Sequence, residues 1–199
     1  MNPWDERYRV AGFAYGSDPN DFLREVRPRL TAGGTVLCLA EGEGRNAVYL
    51  AEQGFKVTAI DSSAVGLEKA NALAKERGVA IHTVHADLKD FVIEPAAFDA
   101  VVLIWCHMPQ PMRSNVHRAS VAALRPNGAF VLESYTPRQL ELKTGGPPNV
   151  ELLQRLDDLR PDLSSLRLDI AHELERTVNE GRLHRGTSAV VQVFGVAST

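Results

Sequence analysis

The chain has 199 residues, 44% of them hydrophobic, which suffices for one well-covered core and leaves little room for two domains. Lys and Arg total 22 against 25 Asp and Glu, a formal charge of -3, so the basic footprint of a dedicated nucleic-acid binder is missing. The opening stretch MNPWDERYRV is polar, and no apolar run approaches the roughly 20 residues of a membrane span, so a cytoplasmic protein with a small-molecule partner is expected.

The first 30 residues carry Trp4, Tyr8, Phe13, Tyr15 and Phe22 and read as a helical cap on a single domain spanning 1–199. From residue 35 the chain alternates short β-branched runs with helical patterns: strand 35–40, helix Arg45 to Gln53, strand 56–61. A helix from Ala64 to Arg77 ends at Gly78, whose missing Cβ suits a left-handed exit. Strands at 81–87 and 99–106 follow, the second almost continuously apolar, as expected where both faces of a parallel sheet are covered. A helix from Arg113 to Leu124 and a Pro126-Asn127-Gly128 turn lead to a fifth strand, 129–135. The stretch 136–149, rich in Pro, Gly and polar residues, reads as a long substrate-side loop. A helix near Val150 to Leu159 then precedes two strands, Leu166 to Val178 and Thr187 to Val196, joined as a hairpin across 179–186. The fold class is therefore α/β: a Rossmann-like, doubly wound, seven-stranded mixed sheet with a C-terminal antiparallel hairpin. Cys38 and Cys106 each lie inside an apolar run, which suits buried, reduced thiols better than a disulfide or a metal site, and no metal is expected.

The strongest local signal is 39–51, LAEGEGRNAVYLA, where a strand breaks at two glycines and gives way at once to a helix. Such a junction lets a ligand approach bare backbone and presents N–H groups at a helix start. Gly42-x-Gly44-x-x-Ala47 satisfies the dinucleotide fingerprint, and Asp61 ends the next strand where an acid meets a ribose, so an adenosine-containing cofactor is implied. An NAD-dependent oxidoreductase stays open on this motif alone.

The same stretch resembles motif I of class I S-adenosylmethionine-dependent methyltransferases, in particular the small tellurite-resistance-like branch with its Gly-x-Gly-Arg-Asn segment, and the likeness runs over nearly the whole chain. Gly42 and Gly44 match the second and third glycines of that motif, whereas Cys38 stands where the family has an acid and Ala40 where it has its first glycine. The resemblance implies an S-adenosyl-L-methionine site made by Glu41, Gly42, Glu43, Gly44, Arg45 and Asn46, with Glu41 or a water taking the amino-group contact. It further implies Asp61 on the ribose hydroxyls, Ser62 and Ser63 beside the adenine, Asp87 on the adenine amino group, and Ala86 and Leu88 flanking it. Trp105 and Cys106 end the fourth strand beside the expected sulfonium.

His107 follows them and is either a general base titrating near neutrality or a structural residue. Glu133, Tyr135 and Gln139 resemble the family's acceptor-pocket region, although Gln139 also reads as plain loop chemistry. His184 reaches back to the pocket or stays a surface turn residue, and Trp4, Tyr8 and Tyr15 form a lid or simply pack. The charged face of Glu68, Lys69, Lys75, Glu76 and Arg77 reads as solvated helix surface. The expected function is in-line methyl transfer to a small-molecule acceptor by a monomer or weak homodimer, without nucleic acid or membrane; a non-catalytic S-adenosylmethionine-binding protein is a further alternative.

Overall fold

The β-branched runs become a seven-stranded sheet in the computed structural model, which describes residues 2–199. The strands are β1 (Thr35–Leu39), β2 (Lys56–Asp61), β3 (His82–His85), β4 (Phe98–Ile104), β5 (Leu124–Tyr135), β6 (Leu166–Glu180) and β7 (His184–Ala197). Their order is β3-β2-β1-β4-β5-β7-β6, with β1 to β5 mutually parallel and β7 antiparallel to both β5 and β6. The expected fold class is the observed one.

Strand alternation divides the interior into two layers. Leu37 and Leu39 of β1 join Leu103, Phe130 and Val193 in one core, while Val36 and Cys38 join Val102, Val131 and Phe194 in the other. The second layer is covered by α2 (Asp21–Val26) and α3 (Arg45–Glu52), through Phe22, Leu23, Ala47 and Leu50. The first is covered by α5 (Met112–Ala122) and by Leu159 and Leu163, with α4 (Ala64–Glu76) beside α3. Both cysteines are free and buried.

The amino-terminal cap contains α1 (Pro3–Tyr8) and α2, each started by an asparagine. The Asn2 side chain accepts from the Trp4 N–H and that of Asn20 from the Leu23 N–H, satisfying donors that a helix start leaves over.

Two stretches differ from the sequence expectation. The 136–149 segment holds a helical turn, α6 (Gln139–Leu142), because Gln139 ties it to the sheet: its Oε1 accepts from the Ala189 N–H at 2.9 Å and its Nε2 donates to Thr144 and Gly145. The helix expected over 150–159 is instead a 3-10 turn (Val150–Leu152) and a short α7 (Leu156–Leu159), separated by extended backbone. Here tertiary bonds outcompete helix propensity: the Gln154 N–H donates to the Tyr135 carbonyl at 2.9 Å, and Arg113 Nη1 donates to the carbonyls of Glu151 and Leu153. The hairpin is also longer than expected, with β6 and β7 paired from Leu166↔Ala197 out to Glu180↔His184.

Candidate active site

A parallel sheet collects its strand ends, and the loops that leave them, along one edge. At that edge lies a cleft of about 1010 Å³, bounded by the tips of β1, β2 and β4, by the amino-terminal segment, by 145–148 and by the hairpin end. Of the sequence-derived candidates it brings together Trp4, Tyr8, Tyr15, Glu41, Glu43, Arg45, Asn46, Asp61, Ser62, Ala86, Asp87, Leu88, Trp105, Cys106, His107 and His184.

The bend after β1 is fixed by Asp61. Its Oδ2 accepts from the Gly42 N–H and its Oδ1 from the Ser63 N–H, both at 2.8 Å, so one carboxylate joins the tips of β1 and β2. Burial raises its pKa, against the opposing pull of those two N–H donors. Each oxygen keeps lone-pair capacity toward the cleft, which fits a ribose diol.

The glycines serve packing more than open approach. A Cβ on Gly42 would lie 2.5 Å from the Tyr8 hydroxyl, and one on Gly44 2.5 Å from the Ala70 Cβ, so Tyr8 seals the first and α4 the second; neither lines the cleft. Ala40, at the position of the family's first glycine, has φ +52° and faces the cleft, a conformation costing a non-glycine residue about 1 kcal/mol. Cys38 is fully buried in the second core layer, where burial pushes its thiol pKa far up and keeps it neutral.

The free N–H groups expected at the start of α3 are occupied. Glu41 Oε1 accepts from the Asn46 N–H at 2.9 Å and the Ala47 N–H at 2.7 Å. Burial raises the Glu41 pKa to about 7, even though these two bonds and Arg45 favour the anion. Glu43 also serves the fold, accepting from the Ala14 N–H at 2.7 Å and from Lys69 Nζ at 2.8 Å, while Lys69 donates as well to the Val10 and Gly12 carbonyls. Lys69 is therefore a clamp on the amino-terminal segment rather than solvated helix surface. Ser63 lies outside the cleft, its Oγ donating to Asp5 and accepting from the Gly66 N–H.

Behind the cleft wall, outside its lining, stands a residue that sequence reasoning passed over. Glu180, at the end of β6, accepts from Arg45 Nη2 at 2.6 Å, from Trp105 Nε1 and from Asn20 Nδ2. Burial would raise its pKa, but Arg45 and these hydrogen bonds hold it well below the usual carboxylate range. Glu133 is fully buried behind it, accepting from Arg176, Gln192 and Asn20, and does not line the cleft; nor do Tyr135 and Gln139. Tyr135 instead supports the wall, its ring stacked 4.2 Å from that of Trp105.

His184 opens β7 and is buried, its ring 4.5 Å from Tyr15 and 5.2 Å from Trp105, so it reaches the cleft rather than the surface. His107 lines the cleft, but burial, with His184 beside it, lowers its pKa to about 3. A ring that stays neutral this far down is not a base titrating near neutrality. Lining residues without a motif signal include Asn2, His85, Met108, Met112, Leu152 and Leu183; only spatial convergence marks them.

Residues 36–128 match the family model described as a methyltransferase domain. YbaJ of Bacillus subtilis, described as an uncharacterized methyltransferase, is 38% identical over 85 residues, covering 42% of this chain and 31% of its own length. The glycine/sarcosine N-methyltransferase of Halorhodospira halochloris is 29% identical over 136 residues, covering 65% and 47%. The chain thus spans less than half the length of these curated relatives. Among solved structures, TehB from Haemophilus influenzae superposes with a TM-score of 0.72 at 13% identity, over 98% of this chain and 66% of that one, a likeness of fold. That family model covers less than half of the chain, and the cofactor that a methyltransferase domain implies is S-adenosylmethionine.

Proposed function

We propose that the chain is an S-adenosylmethionine-dependent methyltransferase that acts on a small-molecule acceptor by in-line transfer. The observation that carries this reading is the cleft at the strand tips, in which Asp61 ends β2 beside the glycine bend and Asp87 follows β3. Its volume, about 1010 Å³, is at the upper end of ordinary ligand sites, which gives room for a donor and an acceptor together.

The bound cofactor would supply a methyl group made electrophilic by a sulfonium. In this reading Asp61 and Ser62 hold the ribose, Asp87 the adenine amino group, and Ala86 and Leu88 the adenine faces. Glu41, at the start of α3, meets the cationic amino group of the methionine portion. Trp105 and Cys106 border the methyl group, while Trp4, Tyr8 and Tyr15 close over it and exclude water. Alignment of donor and acceptor supplies most of the acceleration, on the order of 7 to 11 kcal/mol in favourable systems. Assignment to the tellurite-resistance-like branch rests on the Gly-Arg-Asn segment, 44–46. We also place the chain in the cytoplasm as a single domain, monomeric or weakly dimeric; among the described residues no helix is long and apolar enough to cross a membrane.

Calorimetry on the purified chain tests the reading: S-adenosylhomocysteine should bind and NAD should not. Binding of NAD in its place would favour an oxidoreductase. Cofactor binding with no S-adenosylhomocysteine formed from any acceptor panel would favour a binding protein without catalysis.

A further inference from the structure

The cleft is divided by chemistry. Its charged lining residues, Arg7, Glu41, Glu43, Arg45, Asp61 and Asp87, come from the amino-terminal segment, the glycine bend and the loops leaving β2 and β3. The opposite wall, from the end of β4, 145–152 and the hairpin end, is built by Cys106, Met108, Met112, Pro147, Leu152 and Leu183 around His107 and His184. None of these lining residues carries a carboxylate, guanidinium or ammonium group; the Glu180 carboxylate lies behind His184 and Trp105, paired with Arg45. Two methionines and a neutral thiol make it polarizable and adaptable in shape.

Two ring nitrogens of this wall lack a hydrogen-bond partner among the described residues, His107 Nε2 and His184 Nδ1, and the second has the Glu180 carboxylate 3.9 Å away. His107 Nδ1 lies 3.4 Å from the Leu152 carbonyl, an obligate acceptor, and 3.5 Å from Ser134 Oγ, so Nδ1 carries the ring proton and Nε2 presents a lone pair. Nε2 is buried and makes no hydrogen bond among the described residues. An unmet acceptor in an apolar setting favours a ligand that brings the missing donor. An acceptor molecule carrying a full charge would leave water for lining atoms with no free charge to offset it, since Glu180 behind them is already paired with Arg45.

We propose that the methyl acceptor is an uncharged, mainly apolar small molecule whose S–H, O–H or N–H group donates a hydrogen bond to His107 Nε2. This rests on the methyltransferase reading and narrows it. The transfer balances without a protein base: the bond from the acceptor atom to the methyl carbon forms as the carbon–sulfur bond breaks, its electron pair stays on sulfur, and the acceptor's proton leaves to water. His107 is thus an acceptor-positioning residue.

Three thiols of one shape separate the possibilities: phenylmethanethiol, 4-(mercaptomethyl)benzoate and 4-(mercaptomethyl)benzylammonium. Their affinities are measured by calorimetry on protein saturated with S-adenosylhomocysteine, and kcat/KM with S-adenosylmethionine. The uncharged thiol should bind about tenfold tighter than either charged one, and kcat/KM should follow the same order. Equal or tighter binding of a charged thiol, or binding of none of the three to protein that does bind S-adenosylhomocysteine, overturns the proposal and leaves the methyltransferase reading standing. If S-adenosylhomocysteine itself fails to bind, that reading falls first. His107→Leu should weaken phenylmethanethiol about tenfold through KM, whereas His107→Gln, which keeps an acceptor atom, should stay within about threefold. Equal losses in both variants would assign the ring a packing role only and overturn the proposal.

Discussion

Replacing Glu41 by Gln isolates the cost of holding a carboxylate at the start of α3. In the folded chain its pKa is raised from 4.5 to about 7, burial being the largest cause. A raised pKa means that the folded state holds the proton more tightly than the unfolded one. Stability from this group is therefore complete below pH 4.5, falls between 4.5 and 7, and is gone above pH 7. Integrating that shift gives a penalty of about 0.8 kcal/mol at pH 5 and about 3 kcal/mol at pH 8. Gln keeps an amide oxygen to accept from the Asn46 and Ala47 N–H groups and does not titrate. Urea unfolding of both proteins without cofactor, at several values between pH 5 and pH 8, should show the Gln form gaining on the native form as pH rises, by about 2 kcal/mol over the range. Effects of other titrating groups cancel in the difference. A difference that stays constant with pH, or that turns against Gln at pH 8, would refute the assignment of a desolvated carboxylate to Glu41.

Asp61→Ala removes the acceptor of both the Gly42 and Ser63 N–H groups, so a loss of about 2 to 5 kcal/mol in urea unfolding and an S-adenosylhomocysteine affinity lowered at least about tenfold are expected. Gly44→Ala drives a Cβ to 2.5 Å from Ala70, whereas Gly78→Ala meets nothing within 4 Å at a similar positive φ. The first should cost more than about 3 kcal/mol and the second about 1 kcal/mol, read from thermal midpoints of the two proteins; equal losses would remove the packing role of Gly44. Glu180→Ala leaves the buried Arg45 guanidinium without its carboxylate and should destabilise by about 3 to 5 kcal/mol, while Arg167→Ala on the outer strand should change urea stability by less than about 1 kcal/mol.

The amino-acid sequence by itself determined the sheet, its helices on two faces, the glycine bend and the carboxylate ending β2. These features are local: side-chain alternation, helical spacing and turn residues act over a few neighbours, and their order along the chain dictates a parallel sheet with ligands at its carboxyl edge. Tertiary structure decided what the residues at that edge do. Glu180 meets Arg45 across 135 positions, Glu43 and Lys69 clamp the amino-terminal segment from two elements, and Tyr8 rather than open space lies over Gly42. The protonation of His107 and Glu41 was equally out of reach, because desolvation depends on every element packed around a group and not on its place in a motif. The same holds for 150–159, where bonds to Tyr135 and Arg113 replaced a helix that its own residues favour.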